Sequence, residues 1–82
     1  MKLPRDLSGT ALATLLRRHG YEVTRQTGSH LRLTCNVRGH EHHVTVPRHR
    51  EVKVGTLGSI IAEVAGYLEM DRETLSRELF GR

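Results

Sequence analysis

Two short stretches on either side of a glycine turn constrain the fold of this chain more than any other feature of its sequence. Residues 21–26 and 31–35 alternate apolar with polar side chains, which is the period of half-buried β-strands. Between them, Gly28 supplies the positive φ that a tight turn needs, and Ser29 can hydrogen-bond to the local backbone. The pattern predicts a β-hairpin that delivers His30 to the first position of its second strand.

The alternation also predicts which face of the hairpin each side chain occupies. The apolar residues at positions 31, 33 and 35 share one face, because successive side chains of a strand point to opposite sides. The polar residues between them then face solvent: His30, Arg32 and Thr34. A histidine in such a place is most often an ordinary surface residue, so a functional interpretation of His30 depends on the rest of the chain.

A third strand is predicted from residue 41 to residue 46, after a turn at residues 36–39. Val44 and Val46 mark its core face, so His43 and Thr45 fall on the opposite, open face. If this strand pairs with the hairpin, His43 and Thr45 share a polar and basic surface with His30.

Helix signals flank the three strands. Ser8 is the predicted N-cap of a first helix that ends at Gly20, and Thr56 is the predicted N-cap of a second. The second helix has its apolar residues at the spacing of one buried stripe: Leu57, Ile60, Ile61, Val64, Ala65 and Leu68. Gly66 is expected to weaken or bend it. Asp71 starts a short third helix, whose apolar edge either packs on the core or docks a partner.

The element order α-β-β-β-α predicts an α+β fold with the double-stranded-RNA-binding domain (dsRBD-like) topology. Each helix has one apolar stripe to bury, so both should cover one face of a three-stranded antiparallel sheet and leave the other face open. A length of 82 residues fits a single domain over residues 1–82, with residues 70–82 as a C-terminal helical extension.

The net charge of +4 is concentrated in the strands and in the loop after them. Between residues 24 and 54 only Glu41 and Glu51 oppose six basic residues: Arg25, Arg32, Arg38, Arg48, Arg50 and Lys53. Aromatic residues are few, which favours contacts with nucleic-acid phosphates over stacking of bases on rings. The loop bases and the start of the second helix form a candidate phosphate site, with an ordinary solvated loop as the alternative.

Other features bound the class of protein. No apolar run approaches the roughly 20 residues of a membrane span, and the first residues lack the apolar region of a signal peptide. Cys35 is the single cysteine, so no internal disulfide can form, and it should pack as a small hydrophobe in a reducing compartment. A cytoplasmic protein without membrane contact is predicted.

The histidines around Glu41 raise a zinc site as an alternative, because His40 and His42 share a strand face near Cys35. Zinc sites generally need three or four convergent ligands, and no second cluster at fixed spacing supplies them. The sequence therefore predicts no metal site.

Three segments resemble the HicA toxin family, also called the YcfA-like family, of small bacterial mRNA interferases. They are residues 15–21 (LLRRHGY), residues 25–30 (RQTGSH), and residues 44–49 (VTVPRH) with Gly55-Thr56-Leu57 after them. The resemblance covers residues 6–66 in order and departs at Gly58, where many members carry a basic residue. It implies a dsRBD-like fold, ribonuclease activity on mRNA without a cofactor, a catalytic histidine at His30, and neutralisation by a HicB-type antitoxin protein.

RNA cleavage needs a base for the 2′-hydroxyl proton and cations for the phosphate charge, and an imidazole can serve as that base. His30 is the candidate base. The candidate RNA contacts are Ser29, Arg32, Arg48, Arg50 and Lys53. The proton donor for the leaving 5′-oxygen is not evident from the sequence, although His43 qualifies if it lies across the sheet. The alternative function is a non-catalytic double-stranded-RNA-binding module that uses the same basic face.

Overall fold

The computed structural model describes residues 2–81, which form three α-helices and one antiparallel sheet of three strands. The elements in chain order are α1 (Gly9–Leu16), a 3₁₀ turn (Arg17–His19), β1 (Glu22–Thr27), β2 (His30–Cys35), β3 (His42–Pro47), α2 (Val54–Leu68) and α3 (Arg72–Phe80). The strand order is β1-β2-β3. The predicted α+β class and the α-β-β-β-α order are confirmed. No helix within residues 2–81 is long and apolar enough to cross a membrane.

Helix α1 begins where the sequence predicts. The Ser8 hydroxyl oxygen accepts a hydrogen bond from the Ala11 backbone N–H at 3.0 Å, which satisfies one of the free donors of the first turn. Gly20 stops the 3₁₀ turn after α1 in the left-handed conformation, with φ of 96°. The helix buries its apolar stripe completely at Leu12 and Leu16.

The core lies between one face of the sheet and the helices. The inward residues of β2 and β3 are buried, and they pack with the stripes of α1 and α2: Leu31, Leu33, Cys35, Val44 and Val46 with Leu12, Leu16, Leu57, Ile61 and Val64. On the opposite face of the sheet His30, Arg32 and Thr45 are exposed. Both helices therefore cover the same face, as predicted.

Strand β1 differs from the prediction of a half-buried strand. All six of its residues are exposed. Even Val23, its one apolar residue, keeps 43% of its surface accessible. Helices α1 and α2 both pack on β3, whereas α1 is the main helix contact of β1, so the inward positions of β1 are only partly covered. The buried member of the pattern is Tyr21, which precedes the strand and is fully buried. A β-bulge between Val23 and Arg25 also interrupts the alternation.

Helix α2 starts earlier than predicted. Its N-cap is Lys53, without a side-chain cap, and Thr56 lies inside the first turn. The reason is tertiary: Val52 is buried and its N–H donates to the Leu7 carbonyl at 2.8 Å, so the chain is already fixed before the helix begins. The expected weakening at Gly66 does not end the helix, which runs to Leu68.

Helix α3 packs on the core instead of standing apart. Leu75 and Leu79 are buried, which confirms the core-packing alternative. Asp71 is the N-cap, as predicted, and accepts hydrogen bonds from the Thr74 hydroxyl at 2.6 Å and from the Thr74 N–H at 3.1 Å. These bonds lower the pKa of the Asp71 carboxyl below its ordinary value.

A ring cluster closes the end of the sheet far from the hairpin turn. The Tyr21 hydroxyl is hydrogen-bonded to His42 Nδ1 at 2.7 Å, and the His42 ring stacks on Tyr67 with centroids 4.8 Å apart. His40 meets the edge of the same Tyr67 ring. Burial raises the pKa of the Tyr21 hydroxyl, so this group stays protonated and can donate. The two histidines of the zinc alternative are thus ring partners of Tyr67, and Cys35 is buried in the core beside them.

Candidate active site

His30 occupies the predicted place on the open face of the sheet, directly after the hairpin turn. It pairs with Thr27 on β1 and with Pro47 on β3, and Gly28 in the turn adopts a φ of +49°. The side chain is exposed, and within residues 2–81 it has no hydrogen-bond or ion-pair partner. An imidazole in this position is free to contact a ligand that crosses the sheet.

The loop after β3 is fixed to both the hairpin turn and the start of α1. The Arg48 N–H donates to the Ser29 carbonyl at 2.6 Å, and the Gly9 N–H donates to the His49 carbonyl at 2.9 Å. These bonds place the hairpin turn, the end of β3 and the N-terminus of α1 at one edge of the domain. Arg50 follows in the same exposed loop.

Not every predicted RNA contact lies on the open face. Ser29 lies in the hairpin turn and Arg48 directly follows β3, and both are exposed, so they line the rim at this end of the sheet. Lys53 follows in the loop as the N-cap of α2, where the backbone N–H groups of the first turn are also available. An RNA strand that passes this end of the sheet can contact both His30 and these rim residues.

Arg32 lies two residues beyond His30 on the same face, as predicted, and directly opposite Arg25 on β1. Like charges at directly opposite positions repel, and neither guanidinium has an ion-pair partner in the part of the chain that the structure describes. A phosphate group placed between them relieves this repulsion. The pair is therefore a cationic site adjacent to His30.

Arg25 is a candidate site residue that the sequence pattern alone does not indicate. Strict alternation from Tyr21 puts Arg25 on the core face, but the bulge at Thr24 shifts the register and turns Arg25 to the open face. The apolar–polar alternation of a strand does not indicate where a bulge inserts an extra residue. Its presence in the RQTGSH segment was the one available indication.

His43 is remote from His30. It pairs with Thr34, four positions along β2 from His30, which corresponds to about 13 Å at the usual rise of a strand. Its two ring nitrogens are engaged, with Nδ1 2.8 Å from the Thr34 hydroxyl and Nε2 3.4 Å from the Glu41 carboxylate. The structure does not bring His43 to the phosphate that His30 can reach.

The structure also places one groove elsewhere. A groove of about 460 Å³ lies beside the 3₁₀ turn and is lined by Thr14, Arg17, Arg18, Tyr21 and Glu22. None of these residues belongs to the surface around His30. Among the described residues, no three His, Cys, Asp or Glu side chains come together as potential metal ligands.

The surface around His30 combines the guanidinium groups of Arg25 and Arg32 with an imidazole that has no partner among residues 2–81. The imidazole can exchange a proton with a hydroxyl, and the guanidinium groups can bind phosphate oxygens in pairs. The arrangement suits a polyanion that carries hydroxyl groups next to its phosphates.

Comparison with known proteins gives one finding. The family model described as "HicA toxin of bacterial toxin-antitoxin" matches residues 9–67, well over half of the 82 residues. The matched range begins at the first residue of α1, includes all three strands, and ends in the last turn of α2. No curated protein and no solved structure gives a significant match.

Proposed function

Because this chain belongs to the HicA family of toxins from bacterial toxin–antitoxin systems, as its sequence motifs predicted, we propose that it is an endoribonuclease that cleaves mRNA and thereby blocks translation. Family membership makes it the toxin component of such a system, with an antitoxin as its partner. We propose a HicB-type antitoxin and a cytoplasmic location, where mRNA is translated. The observation that carries the ribonuclease proposal is the exposed His30 imidazole, which has no partner among residues 2–81 and lies beside the Arg25–Arg32 pair.

RNA carries its own nucleophile, the 2′-hydroxyl, so the enzyme does not have to supply one. The neutral His30 imidazole takes the proton of a 2′-hydroxyl, and the 2′-oxygen attacks the adjacent phosphorus. The bond from phosphorus to the 5′-oxygen breaks, which leaves a 2′,3′-cyclic phosphate on one fragment and a 5′-hydroxyl on the other. A positioned general base of this kind accelerates a reaction by about 10²- to 10⁴-fold.

The cationic side chains supply the rest of the stabilisation. Negative charge grows on the non-bridging phosphate oxygens as the new bond forms, and a preorganised cation lowers the energy of that state. Arg32 and Arg25 are such groups on the same face of the sheet, two positions along the strands from His30. Cleavage through the 2′-hydroxyl needs a base, cations that stabilise the phosphate charge and a proton for the leaving 5′-oxygen. Side chains can supply all three, so we propose that the reaction is metal-independent.

Purified protein is expected to cleave mRNA in the presence of EDTA. The assay follows full-length transcript on a denaturing gel, with an identically prepared His30→Ala protein to exclude a contaminating nuclease. Activity that disappears with EDTA and returns with a divalent ion contradicts a metal-independent reaction. RNA binding without cleavage under every ionic condition assigns the chain to the alternative, a non-catalytic RNA-binding module.

Arg48→Ala, Arg50→Ala and Lys53→Ala are each expected to weaken RNA binding. Each lost contact with a single-stranded phosphate should lower the slope of log affinity against log salt by about 0.7. Titrations at several salt concentrations measure this slope. Arg72→Ala is the matched control, because it removes one positive charge from an exposed position at the start of α3. If all three loop variants keep the wild-type slope, the loop does not contact RNA phosphates.

A further inference from the structure

The proposed reaction lacks a proton donor for the leaving 5′-oxygen, and the structure separates His43 from that place. We propose that His49 is the general acid that protonates the 5′-oxygen, while His30 acts as the base. This inference rests on the proposed ribonuclease function. It assigns a catalytic role to a residue of the loop that follows β3.

The strand pairing continues past the end of β3. Pro47 lies opposite His30, and the next pair is joined by the hydrogen bond from the Arg48 N–H to the Ser29 carbonyl. The His49 carbonyl points away from β2, since it accepts a hydrogen bond from the Gly9 N–H at 2.9 Å. This alternation of hydrogen-bonding directions is that of an extended strand. The chain therefore stays extended from Pro47 to His49.

Because the backbone is extended, alternation determines which face of the sheet each of these side chains occupies. Val44 and Val46 point into the core, so Pro47 and His49 project from the open face together with His30. His49 is then the diagonal neighbour of His30 across the two strands. Diagonal neighbours in an antiparallel pair are about 7–8 Å apart, within reach of long or ring side chains.

This spacing fits the geometry of RNA cleavage. The attacking 2′-oxygen and the leaving 5′-oxygen lie on opposite sides of the phosphorus in an in-line displacement, so the base and the acid must flank one phosphate group. Each transfer needs a nitrogen within about 2.6–3.2 Å of its oxygen. Two imidazoles one diagonal step apart leave room for a single phosphate between them.

The other histidines are already engaged. Of the six in the chain, four have ring or carboxylate partners: His19 with Glu78, His40 and His42 with Tyr67, and His43 with Thr34 and Glu41. Within residues 2–81 only the side chains of His30 and His49 have no such partner, and both are exposed. The two imidazoles without a partner among residues 2–81 thus lie on one face, at one end of the sheet.

These two residues account for both proton transfers of the reaction. His30 accepts the proton of the 2′-hydroxyl as the bond from the 2′-oxygen to phosphorus forms. Protonated His49 gives its proton to the 5′-oxygen as the bond from phosphorus to that oxygen breaks. The pair ends with a protonated His30 and a neutral His49, and exchange with water restores the starting state.

A substrate with a sulfur atom in place of the leaving 5′-oxygen tests this assignment, because a thiolate leaves without protonation. On ordinary RNA, His49→Ala is expected to lower kcat by about 10²- to 10⁴-fold. On the 5′-thio substrate the same variant should cleave within a few-fold of wild type, whereas His30→Ala stays impaired on both. The His49 carbonyl that holds Gly9 is backbone, so the variant should keep the wild-type melting temperature.

His43→Ala is the matched control, a histidine removed from the same face but distant from the phosphate, and it should remain within a few-fold of wild type on both substrates. The assignment is overturned if His49→Ala cleaves ordinary RNA normally. It is also overturned if the variant is equally impaired on both substrates, which indicates a structural or binding role. If wild type cleaves neither substrate, the proposed ribonuclease function fails, and the role of His49 fails with it.

Discussion

Replacing His30 with alanine is expected to lower the rate of mRNA cleavage by about 10²- to 10⁴-fold while leaving the domain folded. The imidazole lies on the open face and has no partner among residues 2–81, so its loss should change the free energy of unfolding by no more than about 0.5 kcal/mol. The RNA-binding cations remain in place, so affinity for RNA should stay near that of wild type. Single-turnover cleavage, a thermal melt and a binding titration of the same preparation measure the three quantities.

The three measurements together distinguish a loss of catalysis from a loss of folding or of RNA binding. His43→Ala removes an imidazole from the same face and serves as the comparison for non-specific loss of charge or polarity. In cells, His30→Ala should be expressed without growth arrest, whereas His43→Ala should remain toxic. A His30→Ala protein that is folded and cleaves at the wild-type rate contradicts the assignment of His30 as the base.

Gly9→Ala is expected to destabilise the domain, although it adds only one methyl group. A Cβ at Gly9 overlaps the Pro47 carbonyl oxygen and lies 2.9 Å from the Pro47 carbonyl carbon and 3.1 Å from Arg48 Cα. All of these are backbone atoms at the end of β3, so no side-chain rotation relieves the overlap. Such overpacking costs about 1–3 kcal/mol, which for a domain of this size lowers the melting temperature by about 4–8 °C per kcal/mol.

Gly55→Ala is the matched control for this substitution. Gly55 also lies in the first turn of a helix, and a Cβ there meets no atom within 4 Å. Alanine should therefore be neutral or stabilise by up to about 1 kcal/mol, through its higher helix propensity. A Gly9→Ala protein that melts at the wild-type temperature contradicts the close approach of α1 to β3.

The position of Gly9 also links the stability of the fold to the active site. Its N–H holds the His49 carbonyl, and its Cα side faces Pro47, the residue opposite His30. A displacement of this segment moves the loop relative to the hairpin turn. Gly9→Ala should accordingly lose cleavage activity at temperatures where the domain is still folded.

The parts of the fold that local chemistry determines were predictable from the sequence. The Ser8 cap depends on atoms three residues apart, and the alternation that places His30 on the open face depends on one strand. The start of α2 was not predictable, because it depends on the burial of Val52 against a distant part of the chain. The exposure of β1 likewise depends on how the helices cover the assembled sheet, which the alternation within one strand does not show.

The same distinction applies to the site. His30 and Arg32 follow from the alternation of one strand, but Arg25 reaches the open face only through a bulge. His49 joins His30 only through pairing that continues past the end of β3, and His43 is excluded by the register of the same pairing. Relations across strands are set by the assembled sheet, which is why the sequence suggested His43 and not His49 as the proton donor.

The chemical ends of the RNA fragments test the central claim, cleavage through the 2′-hydroxyl with His30 as the base, most directly. Fragments made by wild-type protein in EDTA can be analysed by mass spectrometry, beside a His30→Ala preparation that should yield none. We expect a 2′,3′-cyclic phosphate, or the phosphate from its hydrolysis, on the upstream fragment and a 5′-hydroxyl on the downstream fragment. A 3′-hydroxyl paired with a 5′-phosphate shows that water and not the 2′-oxygen attacked, and contradicts this mechanism.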